Sequence, residues 1–216
     1  VFSTYRKEPV MAKKKEKMTV AVLLDRSGSM EECRDTTIDA YNEYIKGLTS
    51  AKALTVSVSL TLFDSEGIDL LYGDTPVKKV PKLDREAFVP RALTPLYDAI
   101  GKTIHGMKKS KGKITFVILT DGMENASKEY NREAVRKLLL ARQEEDGWLV
   151  VYLGANQDGW GEGMGLGVRS GNAMTYGTGN VKESFAMVGR VSASYGKSGL
   201  THNTNFTDDE RTRAVK

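Results

Sequence analysis

Asp25, Ser27 and Ser29 stand at alternate positions directly after an apolar run that ends in Leu24, so one carboxylate and two hydroxyls gather where a strand should stop. Hard divalent cations such as Mg²⁺ take oxygen ligands in near-octahedral geometry and keep several waters, a demand that a carboxylate, some hydroxyls and open positions meet. Gly28 relaxes the backbone where the chain must turn. Thr94 precedes Pro95, the first-turn residue of an expected helix, and is available there as helix cap or as ligand. Asp121 and Gly122 follow a second apolar run, Ile114 to Leu119, and Thr120. Taken singly, each of these reads as an ordinary cap or turn, because Ser, Thr and Asp are common in both. Three oxygen-bearing turns in this order, each at the end of an apolar run or the start of a helix, read as one cation cradle.

The order Asp-x-Ser-x-Ser, then Thr, then Asp-Gly resembles the von Willebrand factor A (VWA) family and its metal-ion-dependent adhesion site. All five positions match: Asp25, Ser27, Ser29, Thr94 and Asp121. The resemblance covers Met18 to Leu153 almost without gaps. It implies a three-layer, Rossmann-like α/β fold, with a mostly parallel central sheet, one antiparallel edge strand and helices on both faces. It also implies that the two serines and the threonine touch the metal directly or nearly so, while the two aspartates act partly through water. The implied cofactor is Mg²⁺, with Mn²⁺ or Ca²⁺ as the other occupants. The implied partner is a protein that offers an Asp or Glu carboxylate, in bacterial relatives often beside an AAA+ ATPase. Leu153 to Asp158, with Leu166 to Val168 afterwards, resembles a pattern of bacterial and phage-type members that joins the last strands.

Positioning these residues requires alternating strands and helices. Met18 to Leu24, with its continuous Val/Leu content, reads as a strand covered on both faces, and Asp35 to Leu48 as a helix with Ile38, Tyr41, Tyr44, Ile45 and Leu48 at helical spacing. Val56, Val58, Leu60 and Leu62 alternate with Ser and Thr as a period-two strand, with Ile68 to Tyr72 as its hairpin partner. Thr75 to Pro90 is expected as loop, with Val77 to Val80 extended. Helices are expected over Pro95 to Met107, Asn131 to Glu145 and Val181 to Tyr195, and strands over Lys113 to Thr120, Trp148 to Leu153 and Met174 to Tyr176. The glycines from Gly159 to Gly167 lack the lysine and hydroxyl of a phosphate-binding loop and are expected only to join the last strands.

The 216 residues suit one domain of ordinary size, and 40% hydrophobic content suffices for a core. The domain is expected over 18–198, between a basic arm at 1–17, of which 1–10 read as leader or upstream sequence, and a polar tail at 199–216. Six basic residues against two acidic ones within Val1 to Met18 account for the whole net charge of +4, so the basicity belongs to the arm. Without a ~20-residue apolar stretch the expectation is a cytoplasmic protein with no membrane partner, and the single cysteine, Cys33, agrees with a reducing compartment.

The expected function is a metal-dependent protein-binding module, not an enzyme. Glu124 is expected to face solvent and Asp98 to complement a helix N-terminus, so neither serves as a general base, and His105 and His202 lie apart from the motif. Cys33 is expected as a small buried helix residue. Met30, Glu31, Arg91 and Met123 are expected to form the rim of the cradle. One alternative is nucleic-acid binding through the basic arm. Another is a phosphohydrolase using Asp25, against which Ser27 stands where such enzymes carry a second carboxylate.

Overall fold

The computed structural model describes residues 16–50, 54–107, 112–155, 158–201 and 204–215. Residues 1–15 of the arm at 1–17, and His202, lie outside the described residues. Six strands form one sheet in the order β3-β2-β1-β4-β5-β6, with β1 Glu16–Asp25, β2 Leu54–Asp64, β3 Gly67–Pro76, β4 Lys113–Thr120, β5 Leu149–Ala155 and β6 Ala173–Tyr176. Every pairing is parallel except β2 with β3, the hairpin at one edge.

The continuous apolar runs are explained by two-sided burial. Along β1, Val20, Val22 and Leu24 face one core while Ala21 and Leu23 face the other. The first core is closed by helices α1 (Arg34–Leu48) and α5 (Val181–Ser198), the second by α2 (Leu96–Gly106) and α3 (Arg132–Glu144). Each fully buried Leu, Val or Ile contributes about 1.5–3 kcal/mol. Tyr44 of α1 ties the outer layer together, its ring 5.6 Å from that of Phe185 and its hydroxyl 3.1 Å from Ser192 Oγ on α5.

Several elements differ from expectation. Val77–Lys79 is a short 3-10 turn rather than extended chain. Strand β3 runs past Tyr72 to Pro76, with register shifts between Val58 and Thr61 of β2 marking a bulge in the ladder. The glycine-rich segment forms a short helix, α4 (Gly159–Gly165), whose N-cap Asp158 accepts the Gly161 amide at 2.8 Å. Its glycines permit close packing on the sheet: a Cβ at Gly163 would fall 2.8 Å from the Ala173 Cβ. Within the polar segment after Gly199, helix α6 (Asp208–Ala214) starts from a Thr207–Glu210 capping box. It lies against β6 and α5, with the Gly177 amide bonded to Ala214 O at 2.8 Å and Arg190 bonded to Glu210 at 2.6 Å.

Candidate metal centre

Strand β1 leads to β2 on one side and β4 leads to β5 on the other, so the carboxyl ends of β1 and β4 open a crevice at the switch point of the sheet, where α/β folds bind ligands. Asp25 ends β1 and Thr120 ends β4. The chain turns sharply after Asp25: the Ser27 amide donates to Asp25 Oδ1 at 2.7 Å, and the Thr120 hydroxyl donates to Oδ2. A 3-10 turn, Gly28–Cys33, then leads into α1.

The second loop is pinned to this turn by main chain. Arg91 N donates to Arg26 O at 2.9 Å and Gly28 N to Ala92 O at 3.2 Å, with Ala92 held at φ +58°. Thr94 follows at 3% exposure. Its hydroxyl caps no helix. The first amides of α2 are taken instead by Glu124, which accepts from Tyr97 N at 2.9 Å, and by Ser127, which accepts from Asp98 N at 3.0 Å. Thr94 is also paired with the third loop, its amide donating to Asn125 Oδ1 at 2.9 Å and its carbonyl accepting from Asn125 N at 3.1 Å. A Cβ on Gly122 would fall 2.6 Å from Thr94 Oγ1, so only glycine lets the β4 turn approach this hydroxyl.

The five expected residues come together. Ser27 Oγ lies 3.2 Å from Ser29 Oγ, and Ser29 Oγ donates to Asp121 Oδ1 at 2.7 Å. Asp25, Ser27 and Thr94 form a buried floor while Ser29 is exposed and Asp121 half-buried, so the cluster opens to solvent on one side. Burial pushes the Asp25 carboxyl up to about 6, with the Asp121 charge adding to it and the bonds from Thr120 and Ser27 opposing. Burial also raises Asp121, against the bond from Ser29. Asp25 has no ion pair among the described residues, and its neighbour Arg26 turns away to Asp64 at 2.7 Å and Asp69 at 2.8 Å. Nowhere among the described residues do three His, Cys, Asp or Glu side chains converge on a metal. The donor set is two carboxylates and three hydroxyls, a hard-oxygen set that suits Mg²⁺ or Mn²⁺ and offers no soft ligand.

Two expectations are corrected by burial and bonding. Met30 is fully buried in the core and forms no rim, whereas Leu93 and Met123, next in sequence to Thr94 and two residues after Asp121, are exposed at 54% and 71%. Glu124 does not face solvent, since it accepts from three amides and the Ser127 hydroxyl. Sequence reading missed three supporting groups. Asp98 accepts the amides of Lys128, Glu129 and Tyr130 at 2.8–2.9 Å and anchors the loop after the site. Asp64 gathers Arg26, Arg91 and the amides of Glu66 and Gly67. Burial opposes its ionisation, yet the Glu66 amide and the two guanidiniums hold its carboxyl below the usual range. The third, Arg26, had only its place between Asp25 and Ser27 as a signal. Cys33 is buried, as expected.

No family model matches the chain, and no curated sequence does. Solved structures match its fold. The vWF domain of the type V pili tip protein Mfa5 from Porphyromonas gingivalis superposes with a TM-score of 0.64 over 87% of this chain and 97% of its own, at 11% identity. Proximal thread matrix protein 1 from the mussel byssus gives 0.60 over 83% of this chain and 47% of its own, at 12% identity. A structure of that mussel protein with a zinc-occupied metal-ion-dependent adhesion site gives 0.54 over 83% and 48%, at 15% identity. The chain thus spans about half the length of the mussel protein. The fold is that of a von Willebrand factor A domain, a six-stranded, mostly parallel sheet with one antiparallel pair between helical layers. Among the described residues no helix is long and apolar enough to cross a membrane.

Proposed function

We propose that this chain is a metal-dependent protein-binding module in which Asp25, Ser27, Ser29, Thr94 and Asp121 hold a divalent cation, Mg²⁺ or Mn²⁺ by preference, that receives an Asp or Glu carboxylate of a partner protein. The observation that carries the reading is the convergence of five oxygen-bearing side chains from three loops, closed by the Ser27–Ser29–Asp121 bonds and the Thr94–Gly122 approach. When bound, the cation supplies an electrophilic coordination position facing solvent, beside Ser29. Asp25 supplies buried negative charge that burial alone disfavours and a cation stabilises. Leu93 and Met123 supply apolar surface at the rim. The matched proteins, a byssus matrix protein and a pilus tip domain, bear structural names, in keeping with a non-enzymatic role. A cytoplasmic location and a partner linked to an AAA+ ATPase belong to the same reading.

The test is calorimetric titration of Mg²⁺, Mn²⁺ and Ca²⁺ into the chelator-treated protein and into Asp25→Ala, with a pull-down in Mg²⁺ and in chelator. Saturable binding by the wild type alone, and a partner retained only with metal, support the proposal. No cation binding by the wild type sinks it.

A further inference from the structure

The segment from Val77 to Leu83 leaves β3 at the end of the sheet away from the candidate metal centre, since Pro76 stands opposite Ser57 near the start of β2. It is fixed there against α1. Asn42 of α1 donates to Leu83 O and accepts from Leu83 N, both at 2.9 Å, while Val77 and Val80 pack half-buried on the core. Between this segment, α1 and the start of α5 runs a groove of about 490 Å³, lined by Lys46, Lys78, Lys82 and Lys182 and by the carboxylates of Asp39 and Glu43. Lys182 is matched by Glu43 at 3.3 Å. Lys46, Lys78 and Lys82, with Lys79 beside them, are exposed and make no ion pair among the described residues. Arg26, Arg85, Arg91 and Arg190, by contrast, each meet a carboxylate. The arm joins the domain at this same end, with Lys17 opposite Thr55, two positions from Ser57.

One exposed lysine is ordinary surface; unmatched lysines brought by two elements to one concavity, on a backbone held in place, make a local excess of positive charge. We infer that this groove is a second binding surface, which takes the phosphate backbone of a duplex nucleic acid. Asp39 and Glu43 oppose any anion there, so the ligand must carry dense negative charge. A duplex carries one charge per about 1.7 Å of its axis and releases counterions when its phosphates are neutralised, whereas an extended acidic peptide carries at most one per about 3.3 Å. None of the described residues lining the groove is aromatic, so there is no platform for unpaired bases, and contact is to the backbone whatever the sequence. The surface lies at the opposite end of the sheet from Asp25 and Asp121, so it leaves the candidate metal centre open to its own partner.

The experiment is fluorescence anisotropy of labelled DNA and RNA duplexes, titrated with the full chain in chelator across a series of salt concentrations. The wild type should bind duplexes of unrelated sequence alike, and binding of either the DNA or the RNA form supports the inference. Lys78→Ala combined with Lys82→Ala should weaken binding about tenfold at low salt and reduce the salt slope by about 2, one step per lost phosphate contact, with an unchanged melting temperature. Lys46→Ala combined with Lys79→Ala should do the same, which keeps the test open if the first pair melts lower. Deleting 12–17 should weaken binding and leave a remainder that the lysine pairs remove, and Asp25→Ala should bind as the wild type does. No duplex binding by the wild type overturns the inference, as do wild-type affinity in both lysine pairs and complete loss of binding with the arm alone. So does displacement of the duplex by polyglutamate of equal charge, which would assign the groove to an acidic protein. Mg²⁺ titration of the lysine variants should match the wild type, so this surface and the proposed metal centre stand or fall separately.

Discussion

Asp25 is a carboxylate fixed at the buried end of a central strand, and the sign of its effect on stability is unusual. Its folded-state value of about 6 lies above the ordinary 3.8, so its contribution is fully present below the unfolded value and is lost as pH rises through 6. The shift corresponds to about 3 kcal/mol. In chelator, the melting temperature of the wild type should therefore fall between about pH 4 and 7 relative to Asp25→Asn, which has no charge to gain. Saturating Mg²⁺ should remove that fall, and should stabilise the protein more at pH 7 than at pH 5, where protons compete for the carboxylate. Equal pH slopes for wild type and variant in chelator would contradict this. Gly122 offers a second test at the same scale. Gly122→Ala sets a methyl 2.6 Å from Thr94 Oγ1, so Thr94 or the β4 turn must shift. A cost of about 1–3 kcal/mol in chelator melts is expected, with a cation affinity loss larger than that of Ser29→Ala.

Loops and helix ends decide whether the site holds its shape. The loop after β4 carries no regular structure over 121–130, yet it is bound at both sides of α2, by Glu124 and Ser127 at the helix N-terminus and by Asp98 from within the helix. Three backbone amides meeting one buried carboxylate hold it below its usual range in spite of burial. Asp98→Ala leaves those amides unmatched and should cost about 2–3 kcal/mol. Because Asp98 touches no expected ligand, cation affinity should drop through loop disorder, seen as faster amide exchange over 121–130. Unaltered exchange there would show that the loop is held by other means. Asp64 performs the equivalent task for the Arg91–Thr94 loop. With its carboxyl held low, its contribution is present above the unfolded value and lost as pH falls through the folded one, so acid should loosen this loop.

At the scale of the whole molecule, net charge and topology are separate matters. The excess of positive charge belongs to residues 1–18, ahead of the strand residues that lead to Asp25. Should the arm retain nucleic acid, that retention must fall steeply with salt, vanish when Ala12 to Lys17 are deleted, and ignore Asp25→Ala. Metal-dependent partner binding must behave in the reverse way, and a filter-binding series across salt concentrations separates the two. Helix α6 closes the other end of the sheet: Phe206 and Ala214 are buried, and Arg211 bonds to Ser170 O at 2.8 Å. Ending the chain at Thr201 should expose the β6 edge and lower the melting temperature by several degrees while leaving cation affinity in place. Loss of affinity with α6 would instead join the two ends of the molecule.

The six strands, helices α1, α2, α3 and α5, and the loop-end places of the five candidate residues were legible in the amino-acid order because their signals are local. Two-sided burial writes a continuous apolar run, an amphipathic helix writes its period, and Asp25, Ser27 and Ser29 lie within one turn. Short motifs in order also carried the three-layer, mostly parallel architecture. What only tertiary structure decided are the partnerships across long stretches of chain. Glu124 reaches α2, Asp98 reaches 128–130, and Arg26 reaches Asp64. Those residues belong to common surface types, and nothing in their immediate neighbours tells a solvated carboxylate from one that will be desolvated and bonded by amides some thirty positions away. Burial, which sets their energetics, is a property of the assembled sheet and its two helical layers.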